Sequence, residues 1–137
     1  MSPRLDAPPA TPRSFLAFDF GTKRVGVASG NTVTGTAQPL RTLAEQGDAR
    51  FAAIAKLVAE WKPDALVVGV PYHPDGAPHE NTVRAQRFAR QLHGRFKLPV
   101  HEVDERYTTT EALAGGAADA DAAAAALILE QFFRENA

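Results

Sequence analysis

The sequence predicts a mixed α/β domain, with one five-stranded sheet covered by helices on both faces. Short apolar runs at 15–20 and 65–70 have the length and residue types of buried strands. An initial hairpin meander followed by alternating helices and strands gives both antiparallel and parallel pairs. The 137 residues, 45% of them hydrophobic, suffice for one domain. We place it at 14–137, after a proline-rich tail at 1–13 that is expected to be disordered.

The first three strands are predicted to form the meander. Apolar runs at 15–20 and 25–28 flank a turn that contains glycine, which indicates a β-hairpin. Residues 35–40 supply a third strand. Pro39 cannot donate a hydrogen bond to a neighbouring strand, so we expect this strand at an edge of the sheet.

Two helices then alternate with a buried strand. Asp48 is the predicted N-cap of a helix with apolar residues at helical spacing, and Pro63 ends it. Residues 65–70 are followed by Pro71, as expected of a buried parallel strand between helices. Residues 80–96 carry one apolar face and predict the second helix.

The remaining part is predicted to contain one strand and two helices. The strand is at 100–104, and residues 108–111 match a capping box that opens a short helix. Gly115 and Gly116 end that helix. Residues 119–133 are rich in alanine and predict a long last helix.

Asp19 is the most informative single residue, because it is a carboxylate inside the apolar run 15–20. Charged side chains are almost never buried without a partner, and a desolvated carboxylate is normally paired or metal-bound. The alternative is that Asp19 only caps the following turn by accepting hydrogen bonds from backbone amides.

Two further acidic positions could meet Asp19. Asp104 and Glu105 end the fifth strand, and sites in open α/β sheets gather beyond the carboxyl ends of the strands. Asp119 and Asp121 begin the last helix. At about 100° per residue, Asp121 shares the side of the apolar residues that must face the sheet, whereas Asp119 fits an N-cap.

Converging carboxylates of this kind suit a hard cation such as Mg²⁺ or Mn²⁺. Two such cations about 4 Å apart can activate a water and stabilise the leaving oxygen of a phosphodiester. The alternative is structural: Glu105 pairs with Arg106 or Lys23 at the surface, and Asp121 complements a helix N-terminus. The three acids together favour the metal site.

The order of four segments also resembles a known family. The segments are residues 18–28, 67–71 with Asp75-Gly76, 103–112, and Asp121-Ala122 with Ala125 and 127–129. They resemble the YqgF family, also called RuvX, of the RNase H-like superfamily. The resemblance extends over almost all of residues 14–134.

The resemblance implies an RNase H-like fold and a metal-dependent nuclease with Asp19, Glu105 and Asp121 as catalytic and metal-holding residues. It further implies a cytoplasmic bacterial role in maturing the 5′ end of precursor 16S rRNA, and members are also described as Holliday junction resolvases, which act on branched DNA. The segment before Asp121 is shorter than is usual in the family. This leaves Asp119 as an alternative ligand, and it motivates a second hypothesis: a module without catalysis that binds nucleic acid or ribosomal precursor particles.

Basic and aromatic side chains supply the candidate nucleic-acid contacts. They are Lys23, Arg24, Arg84, Arg87, Arg106 and Tyr107. The first two lie in the turn beside Asp19, and the two helical arginines share a side with Arg90. Such a stripe either binds phosphates or is only a solvated face. Tyr107 could stack on a base or pack in the core.

Composition excludes several classes of function. The net charge of −1 gives no global attraction to polyanions, so any nucleic-acid binding must come from local clusters. The absence of cysteine excludes disulfides and thiolate ligands. No run approaches the roughly 18 apolar residues of a membrane span, and we expect a cytoplasmic location. A monomer and a homodimer both remain open, although cutting a symmetric junction would favour a dimer.

Overall fold

The computed structural model describes residues 13–107 and 119–136. The strands are β1 Ser14–Phe20, β2 Val25–Asn31, β3 Ala37–Leu43, β4 Ala65–Val70 and β5 Val100–Asp104. The helices in these ranges are α1 Asp48–Trp61, α2 Glu80–Phe96 and α3 Ala120–Glu135, and a 3₁₀ turn spans Glu105–Tyr107.

The five strands form one mixed sheet in the order β3-β2-β1-β4-β5. The first three pair antiparallel, while β4 lies parallel to β1 and β5 parallel to β4. The predicted hairpin meander with added parallel strands is therefore confirmed. Pro39 lies in the edge strand β3, as expected of a residue that cannot donate to a second neighbour.

Alternation along β1 divides the core into two layers. Leu16 and Phe18 are fully buried against α1 and α2. Phe15 and Ala17 point to the other face and pack against α3. Helices on both faces are thus confirmed, and the period of two assigns Asp19 to the α3 face.

Several helix and strand ends differ from the sequence prediction. The N-cap of α1 is Gly47 and not Asp48, because the turn into the helix needs the positive φ of 60° that glycine adopts readily. Asp48 is instead the first helical residue, where its charge complements the helix dipole. Asp119 is confirmed as the N-cap of α3, since its side chain accepts from the Ala122 N–H at 3.2 Å.

Two predicted features lie outside the described residues. They are the tail at 1–13, apart from Arg13, and the short helix opened at 108–111. The third strand spans Ala37–Leu43, later than the predicted 35–40. Among the described helices, none combines the length and the apolar character that a membrane span requires.

Candidate active site

Asp19 is the last residue but one of β1, on the α3 face, and has a glycine on each side. Its partner in β2 is Gly26, and its partner in β4 is Gly69. Glycine inside a strand usually marks a place where another group approaches the backbone closely. Both of these glycines mark such a close approach: Gly69 leaves room for Glu105, and Gly26 leaves room for Asp121.

Gly69 makes room for Glu105. A Cβ atom added at Gly69 would lie 2.6 Å from Glu105 Oε1 and 2.4 Å from Ile128 Cδ1. Glu105 opens the 3₁₀ turn directly after β5, so its side chain can extend back over β4. The missing side chain at Gly69 lets the Glu105 carboxyl group lie next to Asp19.

Gly26 makes room for the first turn of α3. A Cβ atom at Gly26 would lie only 1.9 Å from the Asp121 carbonyl oxygen and 2.8 Å from the Ala122 nitrogen. The start of α3 therefore rests directly on β2, beside Asp19. Sequence reasoning did not single out Gly26 or Gly69, although a glycine inside an apolar strand is a signal that could have identified them.

Asp19 and Glu105 form a half-buried pair of carboxyl groups. A side-chain hydrogen bond joins them, and burial together with the neighbouring Asp19 charge raises the pKa of Glu105 to about 8. The pKa of Asp19 is also raised, first by burial and then by the charge of Asp121, although the hydrogen bond from Glu105 opposes this. At neutral pH the protonated form of Glu105 is therefore favoured, and its O–H donates a hydrogen bond to the Asp19 carboxylate.

Asp121 is held by an ion pair with Arg24. The Arg24 Nε–H donates to Asp121 Oδ2 at 2.9 Å, and the two side chains are 63% and 35% exposed. Gly21 permits the tight turn between β1 and β2, since a Cβ there would lie 2.6 Å from the Arg24 carbonyl oxygen. Asp119 accepts hydrogen bonds from the Thr42 hydroxyl of β3 and from the Ala122 N–H in its role as the cap of α3, so its carboxylate is engaged in these two contacts.

These carboxylates have the donor chemistry of a site for a hard cation. Asp19 and Glu105 offer oxygen ligands. Their pKa values are raised because burial and neighbouring carboxylates disfavour their negative charge, which a divalent cation would neutralise. Asp121 is the third oxygen donor beside the pair. The part of the chain that the structure describes contains no group of three or more acidic or histidine residues already arranged as a metal cluster. The residues fit the ion in type, while Asp121 is engaged by Arg24.

Arg106 fastens the end of β5 to the loop after β4. Its Nε–H and Nη2–H donate to Asp104 Oδ2 at 3.0 and 2.7 Å, and its Nε–H also donates to Oδ1 at 3.1 Å. Its Nη1–H donates to the Pro74 carbonyl at 3.4 Å. Hydrogen bonds from Arg106 lower the pKa of Asp104. The guanidinium also lies 5.7 Å from the centre of the Tyr72 ring. The backbone of Tyr107 closes the 3₁₀ turn.

The remaining basic candidates occupy two places. Lys23 is exposed in the turn that follows Asp19. Arg84 and Arg87 line a groove toward α1, whereas Arg90 borders a separate depression near β5. Steps of three residues drift by about 60° each around a helix, so Arg84 and Arg90 lie about 120° apart at the two ends of the predicted stripe.

Comparisons with known proteins agree with this architecture. Residues 13–135 match the family model described as "RuvX: Holliday junction resolvase". A protein of Albidiferax ferrireducens is 70% identical over 122 residues, which cover 89% of this chain and 78% of the relative. A protein of a Polaromonas species is 68% identical over the same share of this chain and 88% of its own length. Both carry the name "Putative pre-16S rRNA nuclease".

Solved structures identify the fold. Thermus thermophilus RuvC in complex with a Holliday junction substrate superposes with a TM-score of 0.59 at 14% identity. The match covers 90% of this chain and 95% of that chain. Identity at this level shows the fold alone, and it confirms the RNase H-like architecture that the resemblance implied. Because the family model covers all five strands and the three described helices, the chain belongs to the RuvX family.

Proposed function

We propose that this protein is a metal-dependent nuclease that hydrolyses phosphodiester bonds during 5′-end maturation of precursor 16S rRNA. The observation that carries the proposal is the juxtaposition of the Asp19 and Glu105 carboxyl groups, with Asp121 beside them, at the carboxyl edge of the sheet. The names of the relatives at 70% and 68% identity support the substrate. The setting that follows is the cytoplasm, with ribosomal precursor particles as the source of the RNA.

Each acidic side chain has a definable task. Asp19, Glu105 and Asp121 would hold Mg²⁺ or Mn²⁺, which lowers the pKa of a bound water and stabilises charge on the phosphate when it is present. Glu105 must give up its proton before it can act as a ligand. Asp19 lies on a strand that is paired on both sides, so its position is fixed by the sheet.

The turn between β1 and β2 provides positive charge next to the acids. Lys23 and Arg24 are both exposed there. A guanidinium can pair with two phosphate oxygens at once, which favours Arg24 as a contact to the scissile phosphate or to a neighbouring one. In that arrangement Arg24 would exchange its bond with Asp121 for the substrate.

A cleavage assay on labelled precursor 16S rRNA with added Mn²⁺ or Mg²⁺ tests the proposal. We expect Asp19→Asn and Glu105→Gln each to lower the cleavage rate by at least about a hundredfold, because each removes a carboxylate that would hold the metal. Glu60→Gln is the matched control, since Glu60 is an exposed residue of α1. Cleavage by the Asp19→Asn variant at the normal rate would refute the mechanism.

A second candidate substrate is a four-way DNA junction. The description of the family names a Holliday junction resolvase, and RuvC shares the fold. The same variants should therefore be assayed on a labelled junction in parallel. Preferential cleavage of the junction, lost in Asp19→Asn, would replace RNA by branched DNA as the substrate while keeping the assigned residues.

A further inference from the structure

A cationic groove lies between α1 and α2, on the face of the sheet opposite to the acidic residues. It is open to solvent and has a volume of about 340 Å³. Arg50, Arg84, Arg87 and Gln91 line it above the aromatic rings of Phe20 and Phe51. None of the described residues that line the groove is acidic, although the whole chain has a net charge of −1.

Arg50 is the fixed centre of this groove. It is only 7% exposed, yet no described carboxylate pairs with it. Its Nε–H donates to the Glu45 carbonyl and its Nη2–H to the Thr22 carbonyl, both at 3.1 Å. Its guanidinium carbon lies 5.7 Å from the centre of the Phe20 ring. Two carbonyl bonds orient the guanidinium but leave its full charge uncompensated, and a buried charge of this kind normally has an anionic partner.

The α2 side of the groove adds mobile positive charge. Arg84, Arg87 and Gln91 lie within about 60° of one another around the helix axis. Arg87 is exposed and forms no ion pair with any described residue. Arg84 pairs with Glu80 at 2.8 Å, but this is an exposed pair one turn apart, and such pairs contribute little to stability. Both arginines can therefore turn to an anion in the groove at low cost.

The groove is connected to the acidic edge of the sheet. The Arg50 bond to Thr22 anchors the turn that also carries Lys23 and Arg24. Phe20, which lines the groove, is the next residue after Asp19. Positive charge thus continues from α2 across this turn to the carboxylates on the other face.

We propose that the groove binds the phosphate backbone of a single RNA strand whose downstream or upstream part crosses the turn to the acidic site. Guanidinium groups match phosphate oxygens, and a strand bears them at regular intervals. The guanidinium groups of Arg50 and Arg95 already lie by the rings of Phe20 and Phe51, so the groove offers contacts to phosphates and not a stacking platform for bases. The location of cleavage in this scheme rests on the proposed function, whereas binding in the groove does not.

The test is a binding measurement in EDTA, which separates binding from cleavage. The probe is a short fluorescein-labelled single-stranded RNA, followed by anisotropy over a series of salt concentrations. We expect the Arg84→Ala, Arg87→Ala double variant to bind at least about tenfold more weakly, and the slope of log affinity against log salt to fall by about 1.4. Arg90→Ala combined with Arg134→Ala removes the same charge outside the groove and should change both quantities far less. Circular dichroism confirms that each variant is folded.

The outcomes distinguish a failure of the groove proposal from a failure of the proposed nuclease function. Equal losses in the two double variants would overturn the proposal, because only net charge would then matter. Unchanged RNA binding in the groove variant, or a loss confined to a four-way DNA junction, would overturn it as well. If the groove variant loses RNA binding while the wild type cuts no precursor rRNA, the groove stands and the proposed function fails.

Discussion

Asp19 and Glu105 compete for one proton, because both carboxyl groups are half-buried and lie against each other. The pKa of Glu105 rises from 4.5 to about 8 in the folded protein, first through burial and then through the charge of Asp19. The folded state therefore binds this proton more tightly than the unfolded state does. By linkage, the free energy of unfolding falls as pH rises from about 4.5 to about 8.

Replacing Glu105 by Gln should stabilise the metal-free protein at alkaline pH. The amide can still donate to the Asp19 carboxylate, but it never acquires the second negative charge. In EDTA, we expect the melting temperature of Glu105→Gln to exceed that of the wild type at pH 8 by several degrees, with the difference shrinking as the pH is lowered toward 4.5. Glu60→Gln should show no such trend. A difference in melting temperature that does not vary with pH would contradict the raised pKa of Glu105.

The choice between Asp119 and Asp121 shows what sequence reasoning can decide at the level of single residues. The phase of the helix was enough to assign Asp121 to the sheet-facing side and Asp119 to the cap, and the cap is confirmed. The ion pair between Arg24 and Asp121 could not be predicted, because it joins residues 97 positions apart. Such a contact depends on how the last helix crosses the sheet.

Among the elements, the docking of α3 on β2 is the contact that depends most on one residue. Gly26 lies under the Asp121 carbonyl, so any side chain at this position must displace the helix backbone and not merely another side chain. Backbone of a packed helix cannot yield locally in the way that a flexible side chain can.

Gly26→Ala should therefore destabilise the fold and separate Asp121 from Asp19. Overpacking typically costs about 1–3 kcal/mol, and we expect at least the upper end of that range here. Gly94→Ala is the matched control, since a Cβ at Gly94 meets nothing within 4 Å and the substitution in a helix should stabilise by about 0.5–1 kcal/mol. Urea unfolding measures both. Equal stability of Gly26→Ala and the wild type would mean that α3 does not lie against β2 as described.

The elements themselves were largely predictable, whereas their alignment was not. A continuous apolar run ended by Pro71 indicated β4, and helical spacing indicated α2; both of these and the predicted strand β5 have their observed bounds. Neither pattern specifies which residue of β2 or β4 lies beside Asp19, because register is set by pairing across the sheet. A glycine inside an apolar strand is a signal in the sequence, but which acidic residue each of the two glycines admits depends on that register. Likewise, the sequence does not specify which arginines of α2 face α1.

The described residues place two charged groups on opposite faces of the sheet, although the composition is nearly neutral. The pair of Asp19 and Glu105 lies on the α3 face, and Arg50, Arg84 and Arg87 line the groove between α1 and α2. Net charge could not reveal this division. A cation that binds the acidic side should stabilise the entire fold, because binding to the native state alone shifts the unfolding equilibrium.

Thermal unfolding in increasing Mn²⁺ or Mg²⁺ measures this linkage. Free metal at about a hundred times its dissociation constant adds about 2.7 kcal/mol to the free energy of unfolding. The melting temperature of the wild type should therefore rise with metal concentration. Asp19→Asn should respond far less, and Glu60→Gln should match the wild type. If the melting temperature of the wild type does not change with metal concentration, the result contradicts the metal-dependent nuclease. It then favours the hypothesis of a nucleic-acid or ribosome-binding module without catalysis.

The position of α3 also has a consequence for the time at which activity can arise. This helix packs across every strand of the sheet and brings Asp121 to a carboxylate on β1, the first strand of the fold. A newly made chain can pair β1 with β2 long before that helix has been synthesised, but it then possesses only part of the acidic cluster. The acidic cluster would therefore be complete only after α3 has docked on the sheet. Until then, a partly folded chain near nascent or ribosomal RNA would lack the full site and would not cut it.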